Sequence, residues 1–122
     1  MSEKNPHTMT LDELRDWLAG EDGWKYESGP VWQWRRYING ARVDQLDAVS
    51  DDHPHPPTLD GADSAVTEAG FKWRRLHDAW IAVYHDRDTV VEVPNTGETL
   101  EHKIADLYAL ALACRKAMEN KA

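Results

Sequence analysis

The densest run of chemistry-bearing side chains lies between residues 32 and 37, where Trp32, Trp34, Arg35, Arg36 and Tyr37 stand close together. Aromatic rings and guanidinium groups are the side chains most enriched at binding hot spots. The same types stack on nucleobases and grip phosphates. Trp73, Arg74 and Arg75 form a second, smaller set of the same character, which could neighbour the first. A plainer reading turns Trp32 and Trp34 into the core, because a chain with six Trp and one Phe must build its interior partly from indoles. The arginines then reach solvent and become the functional half of the cluster.

His53 and His55 are the best metal candidates, though weak ones. Two residues apart on an extended segment, they can point to one side, and Asp51 and Asp52 could complete a site. The spacing matches no established zinc pattern and no cysteine pair supports it, so a proline-stiffened polar loop is the simpler expectation, with no metal or other cofactor. His77, His85 and His102 are scattered. Cys114, the sole thiol, falls on the apolar stripe of a helix, where a small buried residue is expected. No Gly-x-Ser-x-Gly elbow, Gly-rich phosphate loop or metalloprotease histidine pair is present. Asp86-Arg87-Asp88 reads as a plain hairpin turn. The expectation is a non-enzymatic protein.

The elements that position these residues follow from periodicity and punctuation. Thr10 opens a capping box with Glu13, and Leu11, Leu14, Trp17 and Leu18 share one face, which predicts a helix over roughly 11–19 stopped by Gly20. Trp24 and Tyr26 alternate with polar residues, Ser28-Gly29-Pro30 is a turn signal, and 31–38 is rich in strand formers. A hairpin of 24–27 with 31–38 results, with Trp32, Trp34 and Arg36 on one face and Gln33, Arg35 and Tyr37 on the other. Asn39-Gly40 is a tight-turn pair. Residues 41–49 fit either a short strand or a helical turn, since Val43, Leu46 and Val49 keep period three.

The stretch 51–58 carries three prolines and connects two halves. A second helix is expected over 59–69, capped by Thr58 or Asp60 and ended by Gly70. Strands follow at 71–76, 79–84 and 89–93, then a helix over roughly 99–119 with Leu100, Ile104, Leu107, Tyr108, Ala111, Cys114 and Met118 in a stripe. In two places a glycine releases the chain from a helix into a strand whose first and third residues are aromatic: Gly23-Trp24-Lys25-Tyr26 and Gly70-Phe71-Lys72-Trp73. The same local physics used twice accounts for this echo without a repeat architecture. The sum is an α+β fold, with a mostly antiparallel sheet of four to five strands packed by a long C-terminal helix and two shorter ones. Residues 1–9 form a tail and 10–122 a single domain of two halves, 10–50 and 59–122.

Composition bounds the rest. A hydrophobic fraction of 41% and a charged fraction of 30% suit a soluble globular chain rather than a disordered one. No apolar run approaches the ~20 residues of a membrane span, and no signal-peptide pattern opens the chain. One cysteine excludes an internal disulfide, which fits a reducing cytoplasm. The net charge of −8 argues against a sequence-independent binder of double-stranded DNA. All of that excess lies in residues 1–70, which hold fourteen acidic and six basic side chains. It is either a solvated face or an acidic surface for a basic partner.

Residues about 54–118 resemble the phage αβα-sandwich domain of phage and prophage proteins. The resemblance rests on Pro56-Pro57-Thr58-Leu59-Asp60-Gly61-Ala62, the aromatic meander, and the Ala-rich helix from Ala105 to Arg115. Thr10-Leu11-Asp12-Glu13-Leu14 followed by Gly23-Trp24 is similar to the opening of short phage accessory proteins. It implies a viral or prophage origin for about half the chain and leaves the Trp-rich region 24–38 outside. Three roles compete. The first is a non-enzymatic interaction protein for a host or phage macromolecule, such as a counter-defence inhibitor, with the acidic half as a possible mimic of nucleic-acid charge. The second is a nucleotide binder using Trp32, Trp34, Arg35 and Arg36. The third is a metal-assisted hydrolase using His53 and His55. A homodimer paired through 79–84 or 31–38 is a further expectation.

Overall fold

The computed structural model describes residues 10–28, 31–46 and 53–121. The expected tail over 1–9, Gly29 and Pro30 of the first turn, Val49, Asp51 and Asp52 lie outside them. Helix α1 (Leu11–Glu21) starts as its sequence requires: the Thr10 hydroxyl accepts the Glu13 N–H and the Glu13 carboxylate accepts the Thr10 N–H. Gly20, expected to stop the helix, sits in its last turn; the chain turns instead at Gly23, where φ is +93°. Strands β1 (Trp24–Ser28), β2 (Trp32–Ile38) and β3 (Ala41–Gln45) follow as an antiparallel meander.

Residues 41–45 are therefore strand. Arg36 pairs with Asp44 but Tyr37 with Arg42, so Val43 is an extra residue in a bulge. Helix α2 (Leu59–Glu68) is capped by the Thr58 hydroxyl, which accepts the Gly61 N–H. Strands β4 (Phe71–Arg75), β5 (Ala79–Tyr84) and β6 (Val90–Pro94) form a second antiparallel meander, and α3 (Leu100–Lys121) closes the chain.

The α+β class stands, with three helices among the described residues. Its sheet is not single: the six strands of the described residues divide into two three-stranded sheets, β1-β2-β3 and β4-β5-β6. The order is a helix and a meander, twice over, then α3. The segments expected to pair across a two-fold axis, 31–38 and 79–84, hold the central strands of their sheets, hydrogen-bonded on both sides. They have no free edge to offer a second copy.

Helix α3 organises the core. It packs on α1, α2, β5 and β6. Every residue from Asp106 to Leu112 is buried, which is far wider than the single stripe read from the sequence. Leu14 and Leu18 of α1, Ala62, Ala65 and Val66 of α2, and Phe71, Trp80, Ala82 and Val93 of the second sheet meet it. Burying each large apolar side chain stabilises the fold by roughly 1.5–3 kcal/mol. Both α2 and α3 lie on that one face, while Lys72, Arg74 and Glu92 stand exposed on the other, so this half has two layers.

Candidate interaction surface

The register of β1 and β2 fixes which side chains share a face. Trp24 lies opposite Arg36, Tyr26 opposite Trp34, and Ser28 opposite Trp32, so these six look the same way. Tyr26 and Trp32 stack with centroids 5.4 Å apart and planes 22° apart, and Tyr26 meets Trp34 at 5.4 Å and 50°. The pair is in solvent: Trp32 is 60% exposed and Tyr26 55%. Trp34 is half-buried, because the His53 ring lies against it at 4.7 Å.

The two tryptophans of the cluster thus share a face, but only Trp34 is partly covered. The arginines do not behave as the outward half. Arg35 is only 4% exposed. Its guanidinium donates to the Glu27 carbonyl at 3.1 Å and the Gln33 side chain at 2.8 Å, and stands 3.6 Å from the Glu27 carboxylate. A buried guanidinium must find such partners, and β1 and β2 supply them across the opposite face. Tyr37 is on that face too; it donates to the Glu27 carboxylate, which pushes its phenol up, and Lys25 lies over its ring. Arg36 donates through Nε to the Asp22 carbonyl at 2.9 Å and borders an open cleft of about 500 Å³ with Arg115.

Arg74 and Arg75 lie on β4, in the other sheet. Arg74 is exposed. Arg75 bonds Glu98 at 2.8 Å and lies over the Trp80 ring.

The connector histidines serve as a clasp. The His53 Nδ1 accepts the backbone N–H of His55 at 2.9 Å, and Nε2 lies 2.7 Å from an Asp16 carboxylate oxygen. An acceptor role at Nδ1 requires the neutral ring with its proton on Nε2. Burial, reinforced by Arg15 and His55 nearby, holds the His53 pKa below the usual imidazole range, although Asp16 pulls the other way. His55 places Nε2 3.3 Å from Asp22, off the line of a good hydrogen bond. Arg115 grips both oxygens of Asp22 at 3.1 and 3.2 Å. Burial alone would raise the Asp22 carboxyl, but His55 and Arg115 together hold it below its ordinary value. Arg15 donates to the His55 carbonyl at 2.6 Å, and Tyr108 donates to the Pro56 carbonyl.

Each imidazole is thus turned to a different carboxylate. Among the described residues no group of three or more His, Cys, Asp or Glu is set to hold a metal ion. His77 and His85 are exposed, and His102 bonds Thr99 next to it in the first turn of α3. Cys114 is buried, and burial pushes its thiol up to about 12, far from a working thiolate.

The sequence reading missed Tyr26 as a member of the surface and Asp22 as the hub of the clasp. Tyr26 was within reach, since hairpin pairing sets it against the tryptophans. Asp22 had no signal, because its partners lie 33 and 93 residues away. No protein-family model matches this chain, and no curated protein or solved structure shows significant similarity to it.

Proposed function

We propose that the chain is a non-enzymatic interaction protein whose partner-facing surface is the Tyr26–Trp32 pair, with Trp34 at its edge. The carrying observation is that two stacked aromatic rings, each more than half exposed, cap one end of a sheet, whereas the other described tryptophans, tyrosines and phenylalanine are buried or half-buried. Aromatic anchors on a rigid strand pair give a partner large contact area at low entropic cost. The phage or prophage setting, and a counter-defence role within it, is supported by the resemblance of residues about 54–118 and by small size.

A protein partner is favoured over a nucleic-acid mimic. Asp16, Asp22, Glu27 and Asp63 of the acidic half are engaged within the molecule, by His53, Arg115, Arg35 and Trp73 respectively. A nucleotide is the second reading, supported by the near-parallel stack. It suffers because Arg35 is buried and paired on the opposite face, and Arg36, which shares the face, donates to the Asp22 carbonyl.

The test compares the wild type with a Tyr26→Ser/Trp32→Ser double variant in affinity capture from host extract. One or more proteins retained by the wild type should be lost from the variant, with unfolding temperatures alike. Equal retention by both forms overturns the reading. Stabilisation by a mononucleotide, lost in the variant, would favour the nucleotide instead.

A further inference from the structure

Strand β5 runs Ala-Trp-Ile-Ala-Val-Tyr, with no charged or amide side chain. A strand of an antiparallel sheet with one face in water alternates apolar and polar residues, whereas a strand covered on both faces is apolar throughout. β2 of the first sheet sets Gln33 and Arg35 against Trp32 and Trp34. β5 has instead the composition of a strand covered twice. One cover is helical: α2 and α3 pack on the face that holds Phe71, Trp80, Ala82 and Val93. Among the described residues no element packs comparably on the other face.

Register fixes what that other face shows. Lys72 pairs with Val83 and Val83 with Val90; Arg74 pairs with Ile81 and Ile81 with Glu92. Two rows therefore cross the sheet, Lys72–Val83–Val90 and Arg74–Ile81–Glu92, with their side chains on the uncovered face. Val90 is 58% exposed, and Ile81 and Val83 are half-buried between the flanking strands. The charges sit at the borders, cations on β4 and a carboxylate on β6. Arg74 and Glu92 are exposed and two strands apart, about 9.5 Å. Neither has a hydrogen bond or ion pair among the described residues.

This arrangement is its own complement. A two-fold axis running along β5, in front of the face, lays a second copy over the first with β5 on β5 and β4 on β6. Positions along the strands are kept, so the Arg74–Ile81–Glu92 row meets the same row reversed. Ile81 meets the partner's Ile81, and Arg74 meets the partner's Glu92, twice over. Sheets packed face to face lie about 10 Å apart, a gap that an arginine and a glutamate close between them. A uniformly acidic or uniformly basic partner would be repelled at one border; a second copy satisfies both.

We propose that the outer face of the β4-β5-β6 sheet joins two copies of this chain in a two-fold, sheet-on-sheet dimer, with Ile81 and Val83 at its centre and two Arg74–Glu92 pairs at its borders. The contact is through a face, not an edge, and it is separate from the Tyr26–Trp32 surface. Three strands of five residues cover about 14 by 17 Å. That is well below the ~800 Å² per partner of a standard interface, so the dimer is a weak one, with a Kd of about 10–300 µM.

Sedimentation equilibrium of the full chain from about 10 µM to about 1 mM tests this. The wild type should dimerise across that range. Arg74→Glu and Glu92→Arg alter exposed side chains and turn each border pair into a repulsion, so each should weaken dimerisation at least about tenfold. Mixed in equal amounts, the two variants should associate with one another about as tightly as the wild type does with itself, because every border then meets its opposite charge.

A wild type that stays monomeric at about 1 mM overturns the proposal. So do single variants that dimerise like the wild type, or a mixture of the two, each folded by circular dichroism, that associates no better than its parts. A dimer dissociated by Trp32→Ser but not by Arg74→Glu assigns self-association to the first sheet and overturns it as well. None of these results touches the Tyr26- and Trp32-dependent capture of another protein, which stands or falls separately.

Discussion

His53 has its chemistry dictated by one backbone N–H. Its Nδ1 accepts from His55, so the ring is held neutral, and it backs Trp34 in that state. Protonation puts a hydrogen on Nδ1 and turns an attraction into a clash of two donors. The folded-state pKa lies below the ordinary value of 6.5, so on acidification the unfolded chain takes the proton first. The stability His53 contributes is fully present above that value and is lost as pH falls through it toward the folded pKa. Asp22, also lowered, adds a second loss with the same sign further down, as pH falls from its ordinary 3.8 through its folded pKa. The unfolding temperature should therefore drop between about pH 7.5 and about pH 5, and His53→Asn, whose side-chain oxygen can still accept the N–H without titrating, should flatten that drop. A wild-type profile that stays level, or one that His53→Asn leaves unchanged, contradicts the assignment. Little of this was legible beforehand. His53 and His55 stood out by type, but their partners Asp16 and Asp22 come from α1, brought near by tertiary packing that local spacing does not encode.

The elements are governed by ends more than by interiors. Thr10, Thr58 and Thr99 each accept an N–H in the first turn of a helix, and the first two were readable as caps from the sequence. The hairpin faces were readable too, because alternation across 32–37 leaves only one register that pairs Tyr26 with Trp34. The β3 bulge was not, because one inserted residue erases the period of two over so short a strand. The last helix was legible in place but not in burial, since a stripe predicts one covered face and α3 is covered nearly all round. Gly23 offers the sharpest element-scale test. A Cβ there would collide with the Tyr37 carbonyl oxygen, which is backbone held in the β1–β2 ladder, whereas at Gly70 the nearest atom is the Tyr84 ring at 2.6 Å, which can move. Gly23→Ala should cost about 2–3 kcal/mol in urea unfolding and more than Gly70→Ala. Equal, small costs would mean that the turn into β1 is not fixed as described.

At the scale of the whole molecule, two similar helix-and-meander units have unequal fates. The second is sealed by α3, while the first keeps a tryptophan and a tyrosine in solvent. The echo of Gly23-Trp24-Lys25-Tyr26 in Gly70-Phe71-Lys72-Trp73 was visible in the sequence as local physics repeated, and the structure extends it over three strands. What the sequence could not display is which copy the single long helix would cover, because that depends on α3 crossing to β5 and β6. Trp32 and Trp80 are equivalent in register and opposite in environment. Urea unfolding of Trp32→Ser beside Trp80→Ser tests that directly. Trp32→Ser should stay within about 0.5 kcal/mol of wild type, and Trp80→Ser should lose about 3–5 kcal/mol or fail to fold. A Trp32→Ser variant as damaged as its Trp80 counterpart would make Trp32 part of the core and leave the first sheet with no open face to bind anything.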